Sequence, residues 1–242
     1  GLFRVRNFTQ DDAHIFMKED QIEQEIIRLL AFIDRVYAIF GLSYSIELST
    51  RPEENYLGDI AIWEKAEQAL ANACDHAGKS YQLNPGDGAF YGPKLDLKIK
   101  DSMNRVWQCG TIQLDFNLPE RFDLTYIAED GSKKRPVMLH RVIFGSIERF
   151  IGILIEHYAG VFPLWLAPIQ VKILSVNSQS HGHYVNQLQQ QLQTHGFRVE
   201  VDNRDEKLGY KIREAQLQKI PYLIVIGDEE VQHHSLNYRE HG

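Results

Sequence analysis

The sequence predicts an α+β fold, in which an antiparallel sheet with flanking helices is followed by a small α/β domain. Residues 81–139 contain several strand-like segments with no helix between them, a pattern typical of antiparallel sheets. Beyond residue 168, strands and helices alternate, which predicts a small, mostly parallel sheet with right-handed crossovers. Residues 163–168 begin and end with proline and form the predicted linker between a first domain, 1–162, and a second, 169–242.

The elements of the first domain follow from the spacing of apolar residues. Residues 5–16 alternate well enough to predict a strand, a turn and a second strand. Helices are predicted from Asp20 to Gly41 and from Asp59 to Gly78, because apolar residues recur three or four apart and a glycine follows each run. A last helix is predicted over 146–158. The predicted strands are 44–49, 81–83, 95–99, 106–116, 124–128 and 137–139.

The second domain shows the order β-α-β-α-β. Strands are predicted at 171–176, 197–201 and 222–226, with helices at 184–194 and 207–219 between them. Such an order places successive strands in parallel.

Composition narrows the class of protein. With 43% hydrophobic and 24% charged residues, the chain is typical of globular proteins. Its longest uncharged apolar run, 158–170, contains two prolines and a glycine and is not expected to span a membrane. Only Cys74 and Cys109 are present, which favours a reducing, cytoplasmic location. The net charge of −7 argues against capture of nucleic acid by bulk electrostatics. Because the chain starts inside a predicted strand, we expect it to be part of a longer protein.

Arg4, Phe8 and Arg149 have the chemistry of a nucleotide site. Arginines bind phosphates, and an arginine and a phenylalanine can hold a purine between them by stacking and cation–π attraction. Taken singly, Arg149 near the start of an amphipathic helix is more often a solvated charge, and a strand phenylalanine such as Phe8 is more often core. Only the neighbouring motifs favour the functional interpretation.

Those motifs resemble the class II aminoacyl-tRNA synthetases, and within them the threonyl-tRNA synthetases. Residues 1–16 are similar to the second half of the second signature motif of the class, and 145–150 to its third. Residues 8–16, 88–94, 108–116 and 136–140 resemble blocks specific to the threonyl enzymes. The resemblance extends over essentially the whole chain.

The resemblance implies a Zn²⁺ site at His14 and His140. In the family, two such histidines and a cysteine bind the metal, and we expect that cysteine to precede residue 1. Zinc with three protein ligands keeps positions open for exchangeable ligands, here the amino and hydroxyl groups of threonine. Valine offers no hydroxyl, and a site that reads a hydroxyl rejects such an isostere well. Cys109 is not a ligand in the family pattern.

The resemblance also implies substrate contacts. Asp12 corresponds to the carboxylate that accepts a hydrogen bond from the substrate hydroxyl, and Tyr91 to the aromatic residue near the amino group. Lys94 and Gln108 correspond to residues that line the adenylate, and Gln113 lies on the same strand system. The alternative is that Asp12 belongs to a turn and Tyr91 anchors a loop. The glycine-rich segment 86–93 lacks the ending of a P-loop, so we predict a substrate loop there.

In the second domain, residues 203–213 resemble the anticodon-reading segment of this enzyme group. Lys207, Lys211 and Arg213 fall at helical spacing and are predicted to present one basic face to RNA, although an ordinary solvated face is an equal alternative without the resemblance. The remaining candidate RNA contacts are Asp205, Glu230 and Arg239.

The implied activity is ATP-dependent attachment of threonine to tRNA(Thr) through threonyl-adenylate, with Mg²⁺ bound to ATP and a homodimer as the assembly. The alternatives are an inactive synthetase-like RNA-binding or regulatory protein and a sister synthetase such as the prolyl enzyme. The paired histidines favour threonine. The first signature motif and the leading arginine of the second motif are not in this sequence, so we expect the chain on its own to be inactive.

Overall fold

The computed structural model describes residues 1–241 and divides the chain into two compact units, Gly1–Leu154 and the residues from Ile155 onward. Among the described residues, no helix is long and apolar enough to cross a membrane.

The first unit contains a six-stranded sheet. Its strands, in chain order, are β1 (Ala13–Met17), β2 (Tyr44–Ser49), β3 (Tyr81–Asn84), β4 (Lys94–Lys100), β5 (Val106–Asp115) and β8 (Val137–Val142). They lie in the order β1-β8-β5-β4-β2-β3, while β6 (Tyr126–Ile127) and β7 (Lys133–Lys134) form a separate two-stranded hairpin. Every pair in the large sheet is antiparallel except β2 and β3, which are parallel. The prediction of an antiparallel sheet is confirmed apart from this edge pair, where a helix connects the two strands as a crossover.

Four helices accompany the sheet: α1 (Ile22–Ile39), α2 (Ile60–His76), the short α3 (Asn117–Arg121) and α4 (Ile147–His157). Side chains alternate between the two faces of each strand. On β4, Leu95, Leu97 and Ile99 are fully buried in the core with the apolar side of α1 and α2. The polar residues between them lie on the opposite face, which carries the site described below.

The structure corrects the prediction for the N-terminal segment. Residues 5–12 do not form a strand, and only β1 does. Residues 5–12 are instead held by an isolated bridge and by hydrogen bonds to the side chain of Asp11. Gln10 forms an isolated bridge with Ser146, and the Asp11 carboxylate accepts hydrogen bonds from the backbone amides of Ile143 (2.9 Å) and Phe144 (3.0 Å). An alternating pattern does not distinguish such a loop from a strand.

The second unit contains β9 (Val171–Ser175), α5 (Ser178–Thr194), β10 (Val199–Asp202), α6 (Leu208–Leu217), β11 (Tyr222–Ile226), α7 (Asp228–His233) and β12 (Asn237–Glu240). Its strands lie in the order β10-β9-β11-β12, the first three parallel and β12 antiparallel. This confirms the predicted small α/β unit, although α7 and β12 were not predicted.

Helix α5 begins six residues earlier than the periodicity indicates. The side chain of Asn177 accepts hydrogen bonds from the backbone amides of Gln179 and Ser180, which fixes the first turn. The polar residues that follow this cap obscure the helical pattern.

Candidate active site and metal cluster

Four of the predicted site residues form one row across the first sheet. His14 on β1 lies opposite His140 on β8, His140 lies opposite Gln113 on β5, and Gln113 lies opposite Lys94 on β4. Residues directly opposite one another on adjacent strands share a face of the sheet. The register therefore brings together residues that are up to 126 positions apart in sequence (140 minus 14).

The two histidines face each other edge to face, with ring centroids 4.7 Å apart. Asp12 joins them, since its Oδ2 lies 3.8 Å from Nε2 of His14. One ligand atom from each of the three residues lies within 4.8 Å of the other two. Among residues 1–241, these three form the one group of histidine, cysteine or acidic side chains whose ligand atoms lie close enough together to hold a metal ion. Imidazole nitrogens with a carboxylate oxygen match the ligands that zinc prefers.

Asp115 supports His140 from behind. Nε2 of His140 lies 2.9 Å from Oδ2 of Asp115, which is almost fully buried, so Nδ1 of the ring is left for another partner. Burial raises the pKa of Asp115, but hydrogen bonds from His140 and from the amides of Leu118 and Asn117 outweigh it and lower the pKa below its ordinary value. A carboxylate behind a ligand histidine fixes its tautomer and its orientation.

Tyr91 connects the loop after β3 to the row. Its hydroxyl donates to Oε1 of Gln113 over 2.9 Å, and its ring centroid lies 5.8 Å from that of His140. Burial, together with the charges of Asp115 and Asp12, raises the pKa of Tyr91. The phenol is therefore neutral at physiological pH and acts as a hydrogen-bond donor.

The four residues predicted to bind ATP line one cavity of about 230 Å³ on the same face. Arg149 is held at two points: Nε donates to the carbonyl oxygen of Phe3 and Nη1 to that of Gln108, both over 3.0 Å. Phe8 is half exposed and free to stack on a ligand. Arg4 lies at the cavity wall.

Trp107 was missed in the sequence. Its ring centroid lies 5.2 Å from Cζ of Arg149 and 4.9 Å from the ring centroid of Phe3. Trp107 therefore makes a cation–π contact with the guanidinium. Such cation–π contacts restrict an arginine to one orientation. An aromatic residue on a strand gives no sign in sequence that it serves this purpose.

A β-bulge places Gln108 on the site face. Lys98 pairs with Gln108 but Leu97 pairs with Gly110, so Cys109 is an extra residue on β5. Cys109 is buried, and burial raises the pKa of its thiol to about 12 against the opposing charge of Arg149. The thiol therefore stays protonated.

The candidate RNA contacts of the second unit separate into exposed and internal residues. Asp205, Lys207, Arg213 and Arg239 are exposed. Lys211 is 1% exposed, and its Nζ donates to the carbonyl oxygens of Ser175 (3.0 Å) and Asp202 (3.4 Å), so it does not lie on the predicted basic face. The reason is geometric, since residues 211 and 213 are about 200° apart around a helix and cannot share a face.

Glu230 also has a local role, because its Oε2 accepts a hydrogen bond from the backbone amide of Gly227 over 2.8 Å. The contact satisfies an amide at the start of α7. One carboxylate oxygen is therefore already engaged within the chain.

Comparison with known protein families shows which family the chain belongs to. The profile of the tRNA synthetase class II core domain (G, H, P, S and T) matches residues 1–158, and that of an anticodon binding domain matches residues 170–242. The chain belongs to the class II tRNA synthetases. The resemblance inferred from the signature motifs is thereby confirmed.

Within this class, the chain is similar in sequence to threonine–tRNA ligases. The chain is 60% identical to the threonine–tRNA ligase of Acetivibrio thermocellus over 99% of its length and 37% of that protein's. It is 60% identical to the threonine–tRNA ligase of Fusobacterium nucleatum, over 100% and 39%, respectively. It is 58% identical to threonine–tRNA ligase 2 of Bacillus subtilis, over 100% and 38%. The chain thus spans less than two fifths of the length of these relatives.

Two solved structures share the fold. The RNA binding domain of threonyl-tRNA synthetase from Cryptosporidium parvum superposes with a TM-score of 0.94 at 43% identity, covering all of this chain and 60% of that one. A putative threonyl-tRNA synthetase from Aeropyrum pernix gives a TM-score of 0.78 at 33% identity, covering 99% and 57%. The resemblance to the threonyl enzymes is confirmed over the whole chain.

Proposed function

We propose that the protein containing this chain attaches threonine to tRNA(Thr) in an ATP-dependent reaction that passes through threonyl-adenylate. The observation that carries the proposal is the pair of His14 and His140 beside Asp12, on the sheet face that also bears the cavity containing Arg149. Thr111 lines that cavity two residues along β5 from Gln113, so the two parts of the site are about 7 Å apart along the strand. A histidine–carboxylate cluster that binds an amino acid and a cavity that binds a nucleotide, at this spacing, suit a reaction that joins their two ligands.

His14 and His140 would hold a zinc ion, together with the cysteine expected before residue 1. When bound, the ion would supply open coordination positions for the amino and hydroxyl groups of threonine. Asp12 accepts the hydrogen of the substrate hydroxyl, and the hydroxyl of Tyr91 lies near the amino group. Valine leaves Asp12 without a hydrogen-bond donor, so a site that reads the hydroxyl rejects it.

Phe8 stacks on the adenine of ATP, and Arg4 and Arg149 would hold the triphosphate with Mg²⁺. A carboxylate oxygen of threonine attacks the α-phosphorus, the bond from that phosphorus to the bridging oxygen breaks, and pyrophosphate leaves. Lys94, Gln108 and Gln113 line the adenylate. A terminal ribose hydroxyl of tRNA then attacks the threonyl carbonyl, and AMP leaves. The chain contributes positioning and neutralisation of charge rather than covalent chemistry.

We assign the aminoacylation chemistry to residues 1–162, the linker to 163–168 and anticodon binding to 169–242. Lys207 and Arg213, with Asp205 and Arg239, are exposed and would contact single-stranded bases and phosphates. Lys211 would act by supporting the ends of β9 and β10, and Glu230 by shaping the start of α7.

We further propose a homodimer in the cytoplasm. The motif resemblance supports the dimer, and the buried, unpaired Cys74 and Cys109 suit a reducing compartment. Analytical ultracentrifugation of the full-length protein tests the dimer, and a purely monomeric species would refute it.

The deciding experiment is ATP–pyrophosphate exchange by the full-length protein with threonine, serine, valine and proline in turn. We expect exchange with threonine and none with proline. Proline-dependent exchange would favour the sister synthetase, and RNA binding without any exchange would favour the non-enzymatic alternative.

Metal analysis tests the zinc site separately. Full-length protein should contain one zinc per chain, and His140→Ala should lose it. The control His76→Ala, which changes an exposed histidine paired with Glu23, should keep it. Zinc retained by His140→Ala would disprove the ligand assignment.

A further inference from the structure

Asp96 is a buried carboxylate on the site face of β4, outside the residues that the motifs indicate. It is 1% exposed. Its Oδ2 accepts hydrogen bonds from Oγ of Ser49 (2.8 Å) and from Nζ of Lys94 (2.9 Å). Its Oδ1 accepts a hydrogen bond from Nε2 of Gln108. Burying a carboxylate is costly unless it is paired and hydrogen-bonded, as it is here.

The two main partners of Asp96 belong to different parts of the proposed site. Lys94 lies in the row with Gln113 and His140, on the amino-acid side. Gln108 lines the nucleotide cavity. Each partner is bound by a different oxygen of one rigid carboxylate group, so a rotation that moves one partner moves the other.

We propose that Asp96 is a positioning residue that fixes Lys94 and Gln108 in register with each other, so that the amino-acid and nucleotide pockets are aligned for adenylate formation. The inference rests on the proposed function. Without the carboxylate, Lys94 is free to turn towards Asp87, whose Oδ2 already lies 3.5 Å from its Nζ. Gln108 would keep its contact with Oγ1 of Thr111 (3.2 Å) but lose the partner that holds its amide group.

The test is Asp96→Asn in the full-length protein, followed by pyrophosphate exchange at varied ATP and varied threonine. Because misplacement of reacting groups by about 1 Å can cost 100-fold, we expect kcat to fall by about 100-fold. KM should rise for both substrates. Melting temperature and zinc content are measured on the same sample.

Glu47→Gln is the matched control. Glu47 lies opposite Asp96 on β2 and forms an ion pair with Lys98. The change removes a carboxylate of the same face without touching Lys94 or Gln108, so both KM values should stay within about twofold of wild type.

A double-mutant cycle separates positioning from simple structural support. If Asp96 acts through Lys94, Asp96→Asn should lower kcat only slightly further in a Lys94→Met background. The fall in kcat of the double mutant should then be smaller, by at least about 10-fold, than the product of the two single-mutant effects. If Asp96→Asn does not fold, the cycle between Lys94→Met and Gln108→Met replaces it. Strictly multiplicative effects would refute the proposal.

The outcomes also distinguish this inference from the function itself. If wild-type protein shows no threonine-dependent exchange, the proposed function fails. If wild type is active and Asp96→Asn lowers only the melting temperature, with both KM values and kcat unchanged, the positioning role fails while the function stands.

Discussion

The turn between β4 and β5 depends on one carboxylate, and its removal should have a defined, pH-dependent cost. Asp101 accepts hydrogen bonds on Oδ1 from the backbone amides of Met103 and Arg105, both over 2.9 Å. On Oδ2 it accepts from Nε1 of Trp107 over 2.8 Å and from the Arg105 guanidinium. Burial raises the pKa of Asp101, but these donors outweigh it and hold the pKa at about 2, against an ordinary value of 3.8.

The contribution of Asp101 to the free energy of unfolding follows from that difference in pKa. A shift of about 1.8 units (3.8 minus 2) at about 1.36 kcal/mol per unit gives roughly 2.4 kcal/mol at neutral pH. Arg105 is 44% exposed, so solvent screening reduces the expected contribution to roughly 1–2 kcal/mol. Because the folded-state pKa is lowered, this stability is present above pH 4 and is lost as the pH falls through 2.

The assay is urea unfolding of wild type and Asp101→Asn at several pH values from 7 to 3, with tryptophan fluorescence as the measure of unfolding. Asp101→Asn should be less stable by roughly 1–2 kcal/mol from pH 7 down to pH 5, and the difference should shrink to about half at pH 3. Asp75→Asn, which changes a carboxylate near the end of α2, is the control. A difference that is the same at pH 7 and pH 3 would refute the electrostatic explanation.

Three further predictions concern single positions. Asp115→Asn should weaken zinc binding by about 10- to 100-fold, because it removes the carboxylate that orients His140; competition with a chelator measures this, and unchanged affinity would contradict it. Gly92→Ala should lower the free energy of unfolding by about 3 kcal/mol, because the new Cβ would lie 1.8 Å from a backbone oxygen of β5; a urea midpoint equal to wild type would count against this. Arg213→Ala should reduce the salt dependence of tRNA binding by about one unit of slope, whereas Lys211→Met should lower stability and leave the slope unchanged. Equal slopes for both variants would show that the assignment of exposed and internal roles is wrong.

The helices and strands with a regular apolar period could be predicted from the sequence. Helices α1 and α2 each end two residues before the glycine predicted to stop them, and Gly41 and Gly78 have the positive φ values that residues with a side chain rarely adopt. These signals are local, so one sequence is enough to see them. Segments held by long-range contacts, such as residues 5–12, give no equivalent signal.

Within the site, the identities of the polar residues came from the motifs, but their supporting partners did not. Asp96 and Asp115 each lie two positions along a strand from a predicted residue, Lys94 and Gln113, so the strand period alone places them on the site face. That signal is present in the sequence. Trp107 could not have been found this way, because its role depends on where Arg149 arrives from another part of the chain.

Lys211 shows why a charge pattern is a weak guide to a binding surface. The sequence shows a lysine on a helix near other basic residues. Only the fold shows that its ammonium group donates hydrogen bonds to carbonyl oxygens at the ends of two strands. A lysine can bury its stem and satisfy its charge on carbonyl oxygens, so exposure does not follow from residue type.

The order of strands brings the two proposed parts of the site onto one face of the sheet. β8 lies between β1 and β5, so the strand that carries His140 is flanked by the strands that carry His14 and Gln113, although β1 and β8 come from opposite ends of the first unit. Antiparallel pairing then places the three side chains side by side without any loop having to carry them. The bulge at Cys109 shifts the alternation of β5 by one residue and so places Gln108 on the same face, where it contacts Asp96 and lines the cavity that contains Arg149. The sheet therefore sets the distance between the histidine cluster and the cavity that contains Arg149, and the proposed role of Asp96 is to fix the side chains of Lys94 and Gln108, which lie between them.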